Sequence, residues 1–207
     1  MQTQPVGGWL DELASGSSTP GGGAAAAMNA AVGAALISMV CNLTIGRPKY
    51  AAYEAGLTTA LETAEKLRGQ ALDLAADDAV AFAAVIAAYQ LPKDTDADKQ
   101  ARTAAIQAAL VGAAEVPLRT AELAAEVVRL GRAVLPGANV NVISDVAVAA
   151  SSARAALDSA VVNVEVNLAA ITDEAHRAAV RSRLAAPLAA AAEADAVVAE
   201  VRERIAK

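Results

Sequence analysis

The chain has 207 residues, room for one well-buried domain and short for two, so a single domain over 1–207 is expected. Alanine occurs 58 times and the aromatic residues number five, so the core must come from small side chains and close backbone approach, which favours helix packed on helix. A net charge of −6, with 17 basic residues scattered in no stripe, argues against a nucleic-acid surface and leaves small molecules or further copies of the chain as partners.

Trp9, Leu10 and Leu13 share one face of a short first helix that ends near Ser15-Gly16. Gly16-Ser17-Ser18-Thr19-Pro20-Gly21-Gly22-Gly23 follows, and a second helix runs from Ala24 to about Thr44, stopped by Gly46-Arg47-Pro48. Three glycines ahead of a helix read either as a flexible connector or as backbone that must approach something closely. Their spacing matches neither a phosphate-binding loop nor a dinucleotide fingerprint. Ala24 to Ile45 is long enough to span a bilayer, but Asn29, Ser38 and Asn42 interrupt it, and a buried central helix is expected in place of a membrane span.

From Tyr50 to Gln90 the pattern is helical, with apolar positions Leu57, Leu61, Ala64, Leu67, Ala71, Leu74 and Val80, as one long helix or two joined near Gly69. Leu91-Pro92-Lys93-Asp94 breaks it, and Thr95-Asp96-Ala97-Asp98 caps the next helix. Pro117 should kink or divide that helix, and Gly131 should end its continuation. After a turn at Leu135-Pro136-Gly137-Ala138-Asn139, an apolar helix extends from Val140 to Ile171. The last helix starts at Thr172-Asp173-Glu174 and reaches about Ile205, with a bend at Pro187. β-branched residues cluster at 140–143 and 161–166, yet helical periodicity runs through both, so the chain reads as all-α.

One histidine, one cysteine and no paired ligand motif leave no expected metal site. Cys41 reads as a core residue, and one cysteine excludes an intrachain disulfide. Met1-Gln2-Thr3-Gln4-Pro5 lacks the features of a secretion signal, so a cytoplasmic protein is expected. His176 lies among charged residues at a helix start and reads as a surface histidine. An acid or base is therefore Asp or Glu. Asp77 and Asp78 interrupt an apolar helix, so one of them sits near the buried stripe. Asp145 is embedded in Val142-Ile143 and Val146-Ala147-Val148, where desolvation would raise its pKa toward a value useful for proton transfer. Ser144 as a helix cap with Asp145 in the first turn is the competing structural reading. Arg47 and Lys49 form either a solvated turn or a contact for an anionic substrate tail.

Thr19-Pro20-Gly21-Gly22-Gly23-Ala24-Ala25-Ala26, then Gly33 to Gly46, Asp78-Ala79-Val80-Ala81-Phe82, Leu91-Pro92-Lys93, Val116-Pro117-Leu118 and Asn141-Val142-Ile143-Ser144-Asp145, in this order and spacing, resemble the cyclodeaminase/cyclohydrolase family of folate one-carbon enzymes. The resemblance runs from about Trp9 into the last helix. It implies an elongated all-α bundle of about five to seven helices, a homodimer, and a tetrahydrofolate derivative as substrate with no metal or redox cofactor. It further implies Asp145 as leading acid/base, Asp78 as a second carboxylate, and Ser17, Thr19, Gly21, Gly22, Gly23, Asn42, Thr44, Asn139, Asn141 and Ser144 shaping the site. One departure is that Ala138-Asn139 stands where the family pattern has Gly-Asn, with Gly137 one place earlier. Without a formiminotransferase part, the expected activity is methenyltetrahydrofolate cyclohydrolase. Formiminotetrahydrofolate cyclodeaminase is the alternative, and an inactive helical dimer is the reading from a different class.

Overall fold

The computed structural model describes residues 4–207; Met1-Gln2-Thr3, the start of the segment read above for a secretion signal, lies outside the described residues. The described residues hold six α-helices: α1 (Val6–Leu13), α2 (Gly22–Asn42), α3 (Glu54–Tyr89), α4 (Asp96–Val134), α5 (Ile143–Ala170) and α6 (Glu174–Ile205), with short 3₁₀ turns at Pro48–Tyr53, Leu135–Gly137 and Val140–Val142 and no strand. Neither β-branched cluster is a strand: 161–166 lies within α5, while Val140–Val142 is a 3₁₀ turn, so the helix expected from Val140 begins at Ile143.

α2 is the centre. It packs on α3, α4 and α5, and α6 closes the bundle against α4 and α5. Ala24, Ala27, Ala30 and Ala34 are fully buried, as are Ala149, Ala153 and Ala156 on α5 or nearly so. With side chains this small the backbones meet. A Cβ on Gly33 would lie 3.0 Å from the Ala149 carbonyl oxygen and 3.1 Å from Val127 Cγ1. Two helices, Gly22–Asn42 and the Val140–Ala170 stretch, are long and apolar enough to cross a membrane, and most of the first lies inside the bundle.

Helix ends follow the expected chemistry in most places. Thr95 Oγ1 accepts the Asp98 N–H while the Asp98 carboxylate accepts the Thr95 N–H, a complete capping box. Asp173 caps α6 through the His176 N–H. Of the two readings of the 50–90 stretch the single long helix holds, α3 running 36 residues through Gly69. Two expectations need correction. Val80 is 71% exposed, because the apolar stripe of α3 stops being covered beyond Ala75 until Ala88. α4 runs unbroken through Pro117 and Gly131 for 39 residues.

Pro117 has no N–H to offer the carbonyl of Ala113, four residues back, which is the reason to expect a kink or a division there. Asn167 of α5 supplies the missing donor, its Nδ2 reaching Ala113 O at 3.4 Å. Gly131 is buried within α4, with Ile37 packed 3.6 Å from where a Cβ would stand.

The α2–α5 crossing yields a stability prediction. Gly33→Val forces a branched side chain against the Ala149 backbone and should cost about 1–3 kcal/mol, a fall in Tm of several degrees for a chain of this size. Gly69→Ala, where a Cβ meets nothing, should raise stability by about 0.5–1 kcal/mol through helix propensity. Thermal unfolding of the two variants checks both signs.

Candidate functional site

At the N-terminus of α2 the chain arrives extended. Gly21 takes φ −128° and ψ −159°, and no side chain of the loop caps the helix. The cap comes from elsewhere. Asp78, on α3, places its Oδ2 3.0 Å from the Ala24 N–H. That contact exists only because Gly23 has no side chain: a Cβ there would stand 2.1 Å from Asp78 Oδ1. The Gly22 and Gly23 N–H groups, which have no intrahelical acceptor, find no protein partner among the described residues, so two donors and the positive end of α2 remain available.

Burial pushes the Asp78 carboxyl above the ordinary aspartate value, and the Ala24 N–H works against that rise by favouring the charged form. Its neighbour Asp77 turns outward, half exposed, with Arg119 at 3.7 Å. The expectation that one carboxylate of the pair sits at the buried stripe thus falls on Asp78.

Around Asp78 lies a cavity of about 380 Å³ walled by Ser18, Thr19 and the three glycines, by Ala81, Phe82 and Val85 of α3, by Leu110 and Ala113 of α4, and by Asn163, Val166, Asn167 and Ala170 of α5. Apolar side chains, Phe82 among them, share that lining with the Asp78 carboxylate, Ser18, Thr19 and two amides of α5. Asn163 and Asn167 are not among the residues the sequence pointed to; two asparagines four residues apart in Val161–Leu168, a run whose one other polar residue is Glu165, were the available signal. Ser17 lies outside the lining, exposed, with its N–H on Ser15 Oγ.

The remaining residues implied by the resemblance gather at the opposite end of the bundle, beyond the C-terminus of α2. Thr44 and Asn139 are buried, at 0% and 2% exposure. Thr44 Oγ1 donates to Val40 O and accepts the Asn139 N–H at 3.1 Å. Asn139 Nδ2 donates to Leu43 O at 2.9 Å, and its Oδ1 accepts from Tyr50 Oη and the Asn141 N–H. Every polar group in this knot is occupied by protein. It closes the end of α2 against the turn before α5. Gly137 belongs to the same packing, since a Cβ there would strike the Tyr53 side chain at 2.6 Å, which accounts for the glycine at that place in the turn.

Asn42 and Asn141 are exposed there, and Ser144 is exposed and caps nothing, as no side chain caps α5. Asp145 is half-buried in the first turn of α5. From Asp145 to Asn163 is eighteen positions along one helix, about 27 Å. The implied site therefore divides within one chain: Thr19, Gly21, Gly22, Gly23 and Asp78 share the cavity, while Asn42, Thr44, Asn139, Asn141, Ser144 and Asp145 lie at the far end. The sequence order of the motifs hid this, because α2 and α5 run antiparallel and carry each motif to a different end.

Cys41 is fully buried and its thiol is pushed up to about 11 by that burial, in keeping with a core role. His176 corrects the surface reading: it is half-buried, with Nε2 shielded and unpaired among the described residues. Among the same residues no three His, Cys, Asp or Glu side chains converge as metal ligands.

A family model described as formiminotransferase-cyclodeaminase matches residues 5–186. A methenyltetrahydrofolate cyclohydrolase from Methylorubrum extorquens is 52% identical over 167 residues, covering 81% of this chain and 80% of that protein. A formimidoyltransferase-cyclodeaminase from Sus scrofa is 36% identical over 89% of this chain but only 34% of its own length. In structure, a formiminotetrahydrofolate cyclodeaminase from Thermotoga maritima superposes with a TM-score of 0.89 at 28% identity, covering 100% of this chain and 99% of that one.

The Gly23–Asp78 contact separates two glycines that look equivalent in sequence. Gly23→Ala displaces the carboxylate, a flexible side-chain end, so Tm should hold while turnover falls at least tenfold. Gly22→Ala places its Cβ at an ordinary 3.5 Å from Asn163 Nδ2 and should be tolerated. Steady-state rates and melting curves of the two variants decide it.

Proposed function

The chain belongs to the formiminotransferase-cyclodeaminase family, and from that premise we propose that it is a methenyltetrahydrofolate cyclohydrolase, converting 5,10-methenyltetrahydrofolate and water to 10-formyltetrahydrofolate. The observation that carries the activity is the 52% identity with the cyclohydrolase from Methylorubrum extorquens over most of both chains. The glycine cavity offers what the reaction requires.

Water adds to the cationic methenyl carbon between N5 and N10. As the C–O bond forms, the water proton passes to the Asp78 carboxylate, which burial makes more basic than an ordinary aspartate and whose charge complements the cation. The tetrahedral carbon then collapses: the bond to N5 breaks, N5 takes up a proton, and the hydroxyl oxygen loses its proton to become the formyl carbonyl on N10. One proton is released overall. The free Gly22 and Gly23 N–H groups would donate to that oxygen. The carbon keeps its oxidation level, so no redox cofactor enters.

Cyclodeaminase activity is the second reading, favoured by the Thermotoga maritima and Sus scrofa relatives. There N10 attacks the N5-formimino carbon and ammonia leaves, through the same kind of tetrahedral centre and with the same need for a proton carrier. We also propose a homodimer. Val80, Phe82 and Ile86 of α3 and Val162 and Val166 of α5 are exposed at 39–71% beside the cavity, an apolar patch that a second copy would cover. Light scattering should give twice the chain mass, and a monomer at all concentrations would refute it.

Pure protein should consume 5,10-methenyltetrahydrofolate and release little or no ammonia from 5-formiminotetrahydrofolate; the reverse pattern selects the second reading, and inertness toward both rejects the folate assignment.

Asp78→Asn should lower turnover by roughly a hundred- to ten-thousand-fold, whereas Asp145→Asn should retain it. Stability should move the other way. With the folded pKa above the unfolded one, the stability linked to Asp78 is fully present below about pH 3.8 and is lost as pH rises through the raised value. At pH 7 the charged carboxylate is thus a cost, and Asp78→Asn should melt at the same or a higher temperature than the parent, the gap narrowing toward pH 4.

A further inference from the structure

The α5 side of the cavity carries a pair of amides that the proton chemistry does not use. Asn163 and Asn167 stand four residues apart on α5, side by side on one face with Cβ atoms about 6 Å apart. Each is tethered by its donor. Asn163 Nδ2 donates to Ser159 O at 2.8 Å, and Asn167 Nδ2 donates to Asn163 O at 2.9 Å and to Ala113 O at 3.4 Å. These bonds fix each amide plane and leave both Oδ1 atoms without a protein partner among the described residues. Both side chains are half-buried and line the cavity. Asparagine is a poor helix former, and α5 gains no helical stability from two of them in the run Val161 to Leu168.

Resting on the folate reading above, we infer that Asn163 and Asn167 recognise the pterin ring of the substrate, their two Oδ1 atoms accepting from the ring edge that carries N3–H, the 2-amino group and N8–H. A tetrahydropterin carries a planar pyrimidinone ring whose faces suit apolar contacts and, along that edge, N–H donors on either side of the N1 acceptor. The cavity presents the complement: pre-oriented acceptors on one wall, and Phe82, Val85 and Val166 as apolar surface for the ring. Acceptors held by their own donor bonds need no reordering when a ligand arrives, so the hydrogen bonds form at little entropic cost. A ligand lacking the donors would leave them unpaired and be rejected. The bond from Asn167 to Ala113 also supports the helix at Pro117, so the test must separate support from recognition.

Two ligands serve, tetrahydrofolate and its analogue with the 2-amino group replaced by methyl, with binding followed by calorimetry. The parent protein should bind tetrahydrofolate at least tenfold more tightly than the analogue. In Asn163→Ala and Asn167→Ala, the Kd for tetrahydrofolate and the KM for the methenyl substrate should each rise about tenfold, with kcat within about threefold. In at least one of the two variants the preference over the analogue should shrink toward unity. Asn163→Ser and Asn167→Ser keep a hydroxyl that can donate to the carbonyl four residues back and still accept. They guard against loss of the fold and should recover part of the affinity. If the parent binds tetrahydrofolate and both alanine variants keep its Kd and its preference, the inference is overturned while the folate reading stands. If the parent neither binds tetrahydrofolate nor turns over the methenyl compound, both fall together.

Discussion

Everything in this molecule depends on α2 being narrow enough to be surrounded. Its alanines bring the backbones of three neighbouring helices within reach, and Gly33 lets α5 touch it backbone to backbone. A helix enclosed in this way draws partners for some of its terminal N–H and C=O groups from distant parts of the chain. At its C-terminus that partner is Asn139, whose amide meets Leu43 O. At its N-terminus it is Asp78, whose carboxylate meets Ala24 N–H. The two ends look alike as capping problems and differ as chemistry. The C-terminal knot spends all its polar groups internally, whereas the N-terminal one leaves a carboxylate, two backbone donors and two amide oxygens facing a cavity.

Asp78 sits between opposed influences. Desolvation favours its neutral form, and the helix N–H favours its charged form. A carboxylate balanced in this manner is costly to the fold and useful to a proton transfer, the usual relation between stability and a working site. Gly23 belongs to the same bargain, since a helix would rather have alanine there. The position is held by the volume of the carboxylate and not by backbone geometry.

The candidate site was only half legible in the sequence. Gly21 to Gly23 and Asp78 stand out locally, the former by three helix-hostile residues before an alanine run, the latter by a charge in an apolar helix, and the structure joins them. Thr44, Asn139 and Asp145 stand out just as strongly, yet the polarity of the first two serves the end of a buried helix. A polar residue in an apolar run marks a place where hydrogen bonds are needed; its local pattern does not say whether protein or ligand provides them. Asn163 and Asn167 pass unnoticed in the sequence for the converse reason: their i, i+4 spacing is ordinary helix texture until the fold sets both on the cavity lining.

Composition and periodicity by themselves determined the all-helical class, the buried α2, the capping box at Thr95 and the core role of Cys41, because each follows from local propensity, burial period or elementary side-chain chemistry. Which helices run unbroken was decided elsewhere. Pro117 leaves a carbonyl that only a donor from another helix could satisfy, and Asn167 arrives from α5, 54 residues further along at Ala113. The tertiary structure also decided which polar residues share a cavity. Helices of 21 to 39 residues carry groups that are close in a motif list to opposite ends of a bundle roughly 30 Å or more long. Sequence spacing measures distance along the chain, and antiparallel packing alone converts it into distance in space.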